Sequence, residues 1–148
     1  MKYPSLNLPK VDLKIKLVDG ITQVFCQVRK KYFFLTPEEW VRQHFISYLS
    51  REKRYPLGLM SIEKMIKYNN INTRADIVVY NNDGSAKIIV ECKASTVKIT
   101  EDVLLQIFKY NAQLQADFLV LTNGLFHYCC KIDYHNKKTD FIEAIPYC

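Results

Sequence analysis

The chain has 148 residues, of which 49% are hydrophobic and 24% charged, with a formal net charge of +6 and a pI near 9.0. A chain of this length buries roughly 68–70% of its unfolded surface and needs no covalent staple; its five cysteines, odd in number and without a C-x-x-C pair, suggest neither a disulfide framework nor a zinc site. No uncharged run approaches the roughly 18 residues of a membrane span, and the first nine residues lack the apolar stretch of a signal peptide, so a soluble, cytoplasmic protein with no membrane partner is expected.

In chain order, Val11 to Val28 reads as a hairpin around Asp19-Gly20, with Leu13 opposite Cys26 and Ile15 opposite Val24 on one apolar face and Lys14 and Lys16 on the other. Thr36-Pro37-Glu38-Glu39 starts a helix, with a Thr cap, Pro at the first helical position and acids in the first turn; its core stripe is Val41, Phe45, Tyr48 and Leu49, and it runs to about Ser50. Strands follow at Leu59 to Tyr68, 74–80 and 86–93. The spacing of Val103, Leu104, Ile107, Phe108 and Leu114 predicts a helix from Thr100 to about Gln115. Phe118 to Leu121 has the continuous apolar character of a buried strand, Asn123-Gly124 turns the chain into Leu125 to Ile132, and a last short strand falls near Phe141 to Ile145. No repeat or linker divides the chain. The expectation is one unit over 1–148, with a hairpin extension at 1–35, a core at 36–132 and a C-terminal strand and tail at 133–148.

Three charged side chains interrupt the apolar runs 75–80 and 88–93: Asp76, Glu91 and Lys93. Asp83-Gly84 between the runs predicts a two-residue turn with positive φ at both positions. With Asn82 facing Ser85, Val78 falls opposite Ile89 and Asp76 opposite Glu91, while Lys93 points to the same face. Opposed carboxylates a few ångströms apart share a proton or hold a cation. Mg²⁺, with Mn²⁺ as substitute, suits two carboxylates plus one backbone carbonyl, here that of Cys92, because it keeps several waters and takes its remaining ligands from phosphate. Lys93 then stands where it can assist the attacking water or stabilise phosphate charge. The bland alternative is a structural ion-pair cluster, with Arg74 opposite Lys93.

A wider set of segments bears on that choice: Thr36-Pro37-Glu38-Glu39-Trp40-Val41-Arg42-Gln43, Arg74-Ala75-Asp76-Ile77-Val78-Val79-Tyr80, Glu91-Cys92-Lys93-Ala94, Gln106 with Tyr110, and Leu121-Thr122-Asn123-Gly124. Together they resemble the PD-(D/E)XK nuclease superfamily and, within it, the N-terminal nuclease domain of type I restriction enzyme R subunits, with Ala75 standing where the superfamily has Pro. The resemblance implies an α/β (α+β) restriction-endonuclease-like fold, a mixed β-sheet flanked by helices, and a Mg²⁺-dependent DNA endonuclease. Glu38, preferred over Glu39 because Val41, Phe45 and Leu49 continue its face inward, is the added carboxylate of the first helix. Gln106 and Tyr110 lie near the DNA backbone, and Arg74 and Lys98 are candidate phosphate contacts. There is no G-x-x-x-x-G-K-[ST] phosphate loop, so any DNA pumping falls to a separate translocase or other restriction-modification subunits. The rival expectation is a non-cleaving nucleic-acid-binding or interaction module on the same scaffold, and RNA is not separated from DNA.

Overall fold

The structure, a computed structural model, describes residues 3–68 and 70–148, with the side chains of Tyr68, Ile71, Tyr110 and Ala112 left aside. Its N-terminal part is a meander of β1 (Ile15–Val18), β2 (Ile21–Cys26) and β3 (Lys31–Phe34). Asp19 and Gly20 both take positive φ (51° and 78°), as a two-residue turn of the primed type demands, and Ile15 pairs with Val24 as the sequence predicts. Val24 and Cys26 are fully buried, but Ile15 overhangs the core and is 46% exposed, so the apolar face is only half used.

The expected hairpin is in fact three-stranded. Lys30, at φ 59°, reverses the chain and donates its backbone N–H to the Cys26 carbonyl at 2.8 Å. This turn carries neither Gly nor Asn, so local sequence does not announce it.

Helix α1 (Pro37–Ser47) is capped as its sequence requires, with Thr36 Oγ1 accepting the Glu39 N–H at 3.0 Å. It continues into a π-helical turn, Tyr48–Glu52. Val41, Phe45 and Leu49 bury its inner stripe. A six-stranded sheet follows in the order β4 (Met60–Tyr68), β5 (Ile71–Tyr80), β6 (Ala86–Cys92), β7 (Phe118–Thr122), β8 (His127–Asp133) and β9 (Lys138–Ile142). The last strand lies a few residues before its expected place near Phe141 to Ile145. Neighbours are antiparallel except β6 and β7, which run parallel because α2 (Glu101–Leu114) crosses over between them. Thr100 precedes α2 in extended conformation but makes no side-chain cap bond.

The sheet is covered on both faces. Ile77, Val79, Ile88, Val90 and Cys92 pack with α1, whereas Ala75, Val78, Ile89 and Leu119 pack with Ile107 of α2. Two covered faces explain why β6 and β7 read as apolar runs rather than alternating ones.

The β5–β6 connection corrects one expectation and preserves its consequence. The loop has three residues: the Asn81 N–H and carbonyl bond to Ser85 and Gly84, and of Asn82, Asp83 and Gly84 only Gly84 has positive φ (88°). That shifts the closing pair by one position. A bulge then restores the register, since Tyr80 pairs with Ala86 but Val79 with Ile88, leaving Lys87 as the extra residue. Val78 meets Ile89 as predicted because two one-residue departures cancel.

Gly84 and Gly124 both need positive φ, but a Cβ at Gly84 meets nothing within 4 Å, whereas at Gly124 it falls 2.7 Å from Leu6 Cδ2. In denaturant unfolding, Gly84→Ala is expected to cost about 1–2 kcal/mol from backbone strain alone, and Gly124→Ala measurably more; equal losses would contradict the Leu6 packing.

Candidate functional site

The alternation of β5 breaks at Asp76. Ala75 faces the α2 layer and Ile77 the α1 layer, and the buried Asp76 carboxylate also reaches α1. Its Oδ1 accepts from Arg42 Nη2 at 2.6 Å and its Oδ2 from the Cys92 N–H at 2.7 Å. The latter bond ties β5 to the end of β6 where the ladder stops at the Ile77–Val90 pair. On the other side, the ladder with β4 runs through Ile62–Ile77 and Lys64–Ala75, which leaves Glu63 at the position facing Asp76 with a left-handed φ of 56°. Such a conformation is strained for a residue with a Cβ, and such strain concentrates at functional sites.

Arg42 is the hub. Its side chain is 7% exposed and contacts Asp76, Glu39 (2.9 Å), Glu63 (3.3 Å) and Glu38 (3.7 Å). Burial works against its charge, yet Asp76 and Glu39 outweigh that cost and raise its pKa, so it stays a cation. Glu39 is also held by Arg29 at 2.6 Å and Gln43 at 3.3 Å, and Glu63 by Arg74 at 3.2 Å.

The two acids of the first turn therefore divide, and not as the helical stripe suggests: Glu39 is the buried one, committed to arginines, while the Glu38 side chain is 47% exposed. Glu38 is nevertheless the one that shares the field of Asp76 and Lys93. Burial and Asp76 raise its pKa, with Arg42 and Lys93 opposing.

Glu91 and Lys93, two positions apart on the end of β6, meet at 3.5 Å through Glu91 Oε1. Glu91 Oε2 is buried without a partner. Burial, and then Asp76, push the Glu91 carboxyl up to about 8, against the pull of Lys93. The charges explain why. Five carboxylates, Glu38, Glu39, Glu63, Asp76 and Glu91, share four cations, Arg29, Arg42, Arg74 and Lys93, so the cluster holds one carboxylate more than it has cations, and Lys93 reaches only one oxygen of Glu91.

Backbone anchors hold this end of the sheet. Lys93 N–H donates to the Thr122 carbonyl at 2.8 Å, and the Asn123 amide donates to Val97 O at 3.0 Å, fastening the loop after Lys93 to the end of β7. Cys92 is fully buried in the core and its thiol pKa is raised well above the ordinary value by burial, so it is no nucleophile.

Arg74, expected as a phosphate contact or as a partner of Lys93, instead pairs with Met65 across the ladder and bonds Glu63, with its side chain 60% exposed. Gln106 is exposed on α2, and the Tyr110 side chain lies outside the described residues. Lys98 is exposed on the loop after Lys93. Among the described residues, no three His, Cys, Asp or Glu side chains converge as a self-sufficient metal cluster.

Arg29, Arg42 and Glu63 are the site residues that sequence reasoning passed over, and Glu39 is the one it ranked behind Glu38. Arg42 was visible one turn from Glu38, but nothing local pointed it at Asp76. Beside the cluster opens a cleft of about 500 Å³, lined by Phe33, Phe34, Glu38, Arg42, Glu63 and Ala94 among others.

Known proteins share this arrangement of elements. A fragment named as an HsdR subunit of a type I restriction enzyme from Vibrio vulnificus YJ016 superposes with a TM-score of 0.54 at 17% identity, over 76% of this chain and 24% of that one. The type IIG restriction endonuclease BpuSI superposes with a TM-score of 0.43 at 20% identity, over 74% of this chain and 13% of its own. The chain thus spans about a quarter or less of the length of these structures. No curated protein matches it in sequence. The first likeness establishes the restriction-endonuclease-like fold. The family model described as "Type I restriction enzyme R protein N terminus (HSDR_N)" matches residues 37–146, well over half of the chain, and the chain belongs to that family.

Proposed function

We propose that this chain is a divalent-metal-dependent DNA endonuclease of the type I restriction R-subunit N-terminal kind, hydrolysing phosphodiester bonds. The observation that carries the reading is the buried, unpartnered Oε2 of Glu91 beside Asp76, in a cluster where five carboxylates share four cations. A carboxylate oxygen without a partner in a low-dielectric place is the donor a metal ion requires. With two carboxylates rather than three or four, the donor set suits Mg²⁺ or Mn²⁺, which tolerate few protein ligands. Asp76 and Glu91 would hold the ion, with the Cys92 carbonyl as a third donor; bound there, it would supply Lewis-acid stabilisation of a phosphodiester oxygen and a nucleophilic water.

Asp76 retains a free lone pair on each oxygen after its bonds to Arg42 and Cys92, so it can accept both the guanidinium and an ion. Lys93, 28% exposed and 3.5 Å from Glu91, would move a proton at the attacking water or neutralise the phosphate. Glu38, half-exposed and lining the cleft, would orient that water. By analogy with the family, a separate translocase or other restriction-modification subunits would accompany the domain in the cytoplasm.

A second reading, a non-cleaving nucleic-acid-binding module, is favoured by one observation: Arg42 already sits on Asp76 at 2.6 Å. Plasmid nicking separates the two. With Mg²⁺ or Mn²⁺ the purified protein should nick DNA, and Asp76→Ala, Glu91→Ala or Lys93→Ala should each lower the rate by at least about a hundredfold; retention of DNA without cleavage would favour the module.

Glu91 also sets a pH dependence. Its folded-state pKa near 8 exceeds the ordinary 4.5, so without metal the folded chain holds a proton the unfolded chain has lost. The stability Glu91 contributes is complete below about pH 4.5 and is lost as pH rises toward 8. In EDTA, Tm should fall across that window, by about 2–4 °C for each kcal/mol lost, and Glu91→Gln should remove this component. At pH 8.5, Mn²⁺ should raise the Tm of the wild type but not of Glu91→Gln; an equal rise in both would place the ion elsewhere.

A further inference from the structure

The family match begins at residue 37, so the β1–β3 sheet lies outside it. The residues ahead of the match carry nearly all of the excess charge. Residues 1–35 hold seven of the 21 Lys and Arg but two of the 15 Asp and Glu, which is +5 of the net +6, and residues 36–148 are close to neutral at +1.

The strand pairing sorts this segment into two faces. Val24, Cys26 and Phe33 point to the core. The outer face carries Lys14, Lys16, Gln23, Phe25, Tyr32 and Phe34, as the pairs Lys16–Gln23, Phe25–Tyr32 and Gln23–Phe34 require. There the Lys16 ammonium stands 3.9 Å above the Tyr32 ring and Lys14 5.6 Å from Phe25, so the rings hold the ammonium groups on the face. Lys30 and Lys31 lie exposed at the β2–β3 turn, next to Arg29, which stacks on Phe33 at 3.4 Å and bonds Glu39. Phe33 and Phe34 line the same cleft as Glu38, Arg42 and Ala94. A basic, aromatic surface therefore borders an acidic pocket that cannot attract a polyanion unaided.

We infer that the outer face of the β1–β3 sheet, which carries Lys14 and Lys16, together with the β2–β3 turn, where Lys30 and Lys31 are exposed, is the surface that grips the phosphate backbone of duplex DNA and presents it to the cleft. The inference rests on the nucleic-acid reading above but not on cleavage. Phosphate contacts of this kind give affinity without sequence preference and fall steeply with salt.

The test is duplex binding in EDTA at several salt concentrations. It uses the full chain, a variant with Lys14, Lys16, Lys30 and Lys31 all changed to Gln, and a control with Lys109, Lys131, Lys137 and Lys138 changed to Gln, which alters net charge equally. The first variant should bind about tenfold or more weakly, with a salt slope shallower by about 0.9 for each phosphate no longer neutralised, and the control should stay near wild type. Equal losses in both variants, an unchanged slope in the first, or no duplex binding by the wild type would overturn the assignment. In the unaltered protein, DNA should also shield those four lysines from an amine-acylating reagent, a readout independent of whether the variant folds. Binding through this face without nicking would sink the nuclease reading alone; nicking with an unchanged slope would sink this one alone.

Discussion

Everything at this site follows from the cost of burying carboxylates. Asp76 sits on a strand covered on both faces, and an ionised carboxylate there is tolerable only with a cation and hydrogen bonds on its oxygens. Arg42 supplies the first, at 2.6 Å, and the Cys92 amide the second. Since Arg42 belongs to α1 and Cys92 to β6, one side chain pins a helix and two strands at a single point. Glu39 and Glu63 complete the coordination of Arg42, and Arg29 carries the same network into the N-terminal sheet.

The cluster is balanced with one carboxylate to spare. With Glu91 protonated the local charge is zero; with Glu91 ionised it is −1. A divalent ion would turn it to +1, and a phosphodiester would return it to zero. Substrate and ion are thus complementary to the pocket together rather than singly, and the attraction of DNA over distance falls to charge placed elsewhere, most of it in residues 1–35.

The hairpin that carries Asp76 and Glu91 was legible for a reason only partly right. Asp83-Gly84 identified a tight reversal, and the apolar runs on either side left little freedom in how they could pair. The loop is nevertheless one residue longer than expected, and a bulge at Lys87 takes up the difference. Turn chemistry predicts that a chain reverses more reliably than it predicts where pairing resumes; burial of Val78 against Ile89 makes the final choice.

The wider set of segments pointed to the family and its mixed sheet, and local pattern alone determined the helices and most of the sheet strands, because periodicity, caps and turn residues act over a few positions. It also brought Asp76, Glu91 and Lys93 to one end of one hairpin. What it did not contain was the partner of Asp76, 34 positions back at Arg42, the burial of Glu39 rather than Glu38, or β3, whose turn depends on Lys30 accepting a left-handed φ. Those outcomes depend on how α1 docks against the sheet and on which buried charges must then be matched. That energy exists only once distant segments share a low-dielectric interior, so the tertiary structure alone decided it.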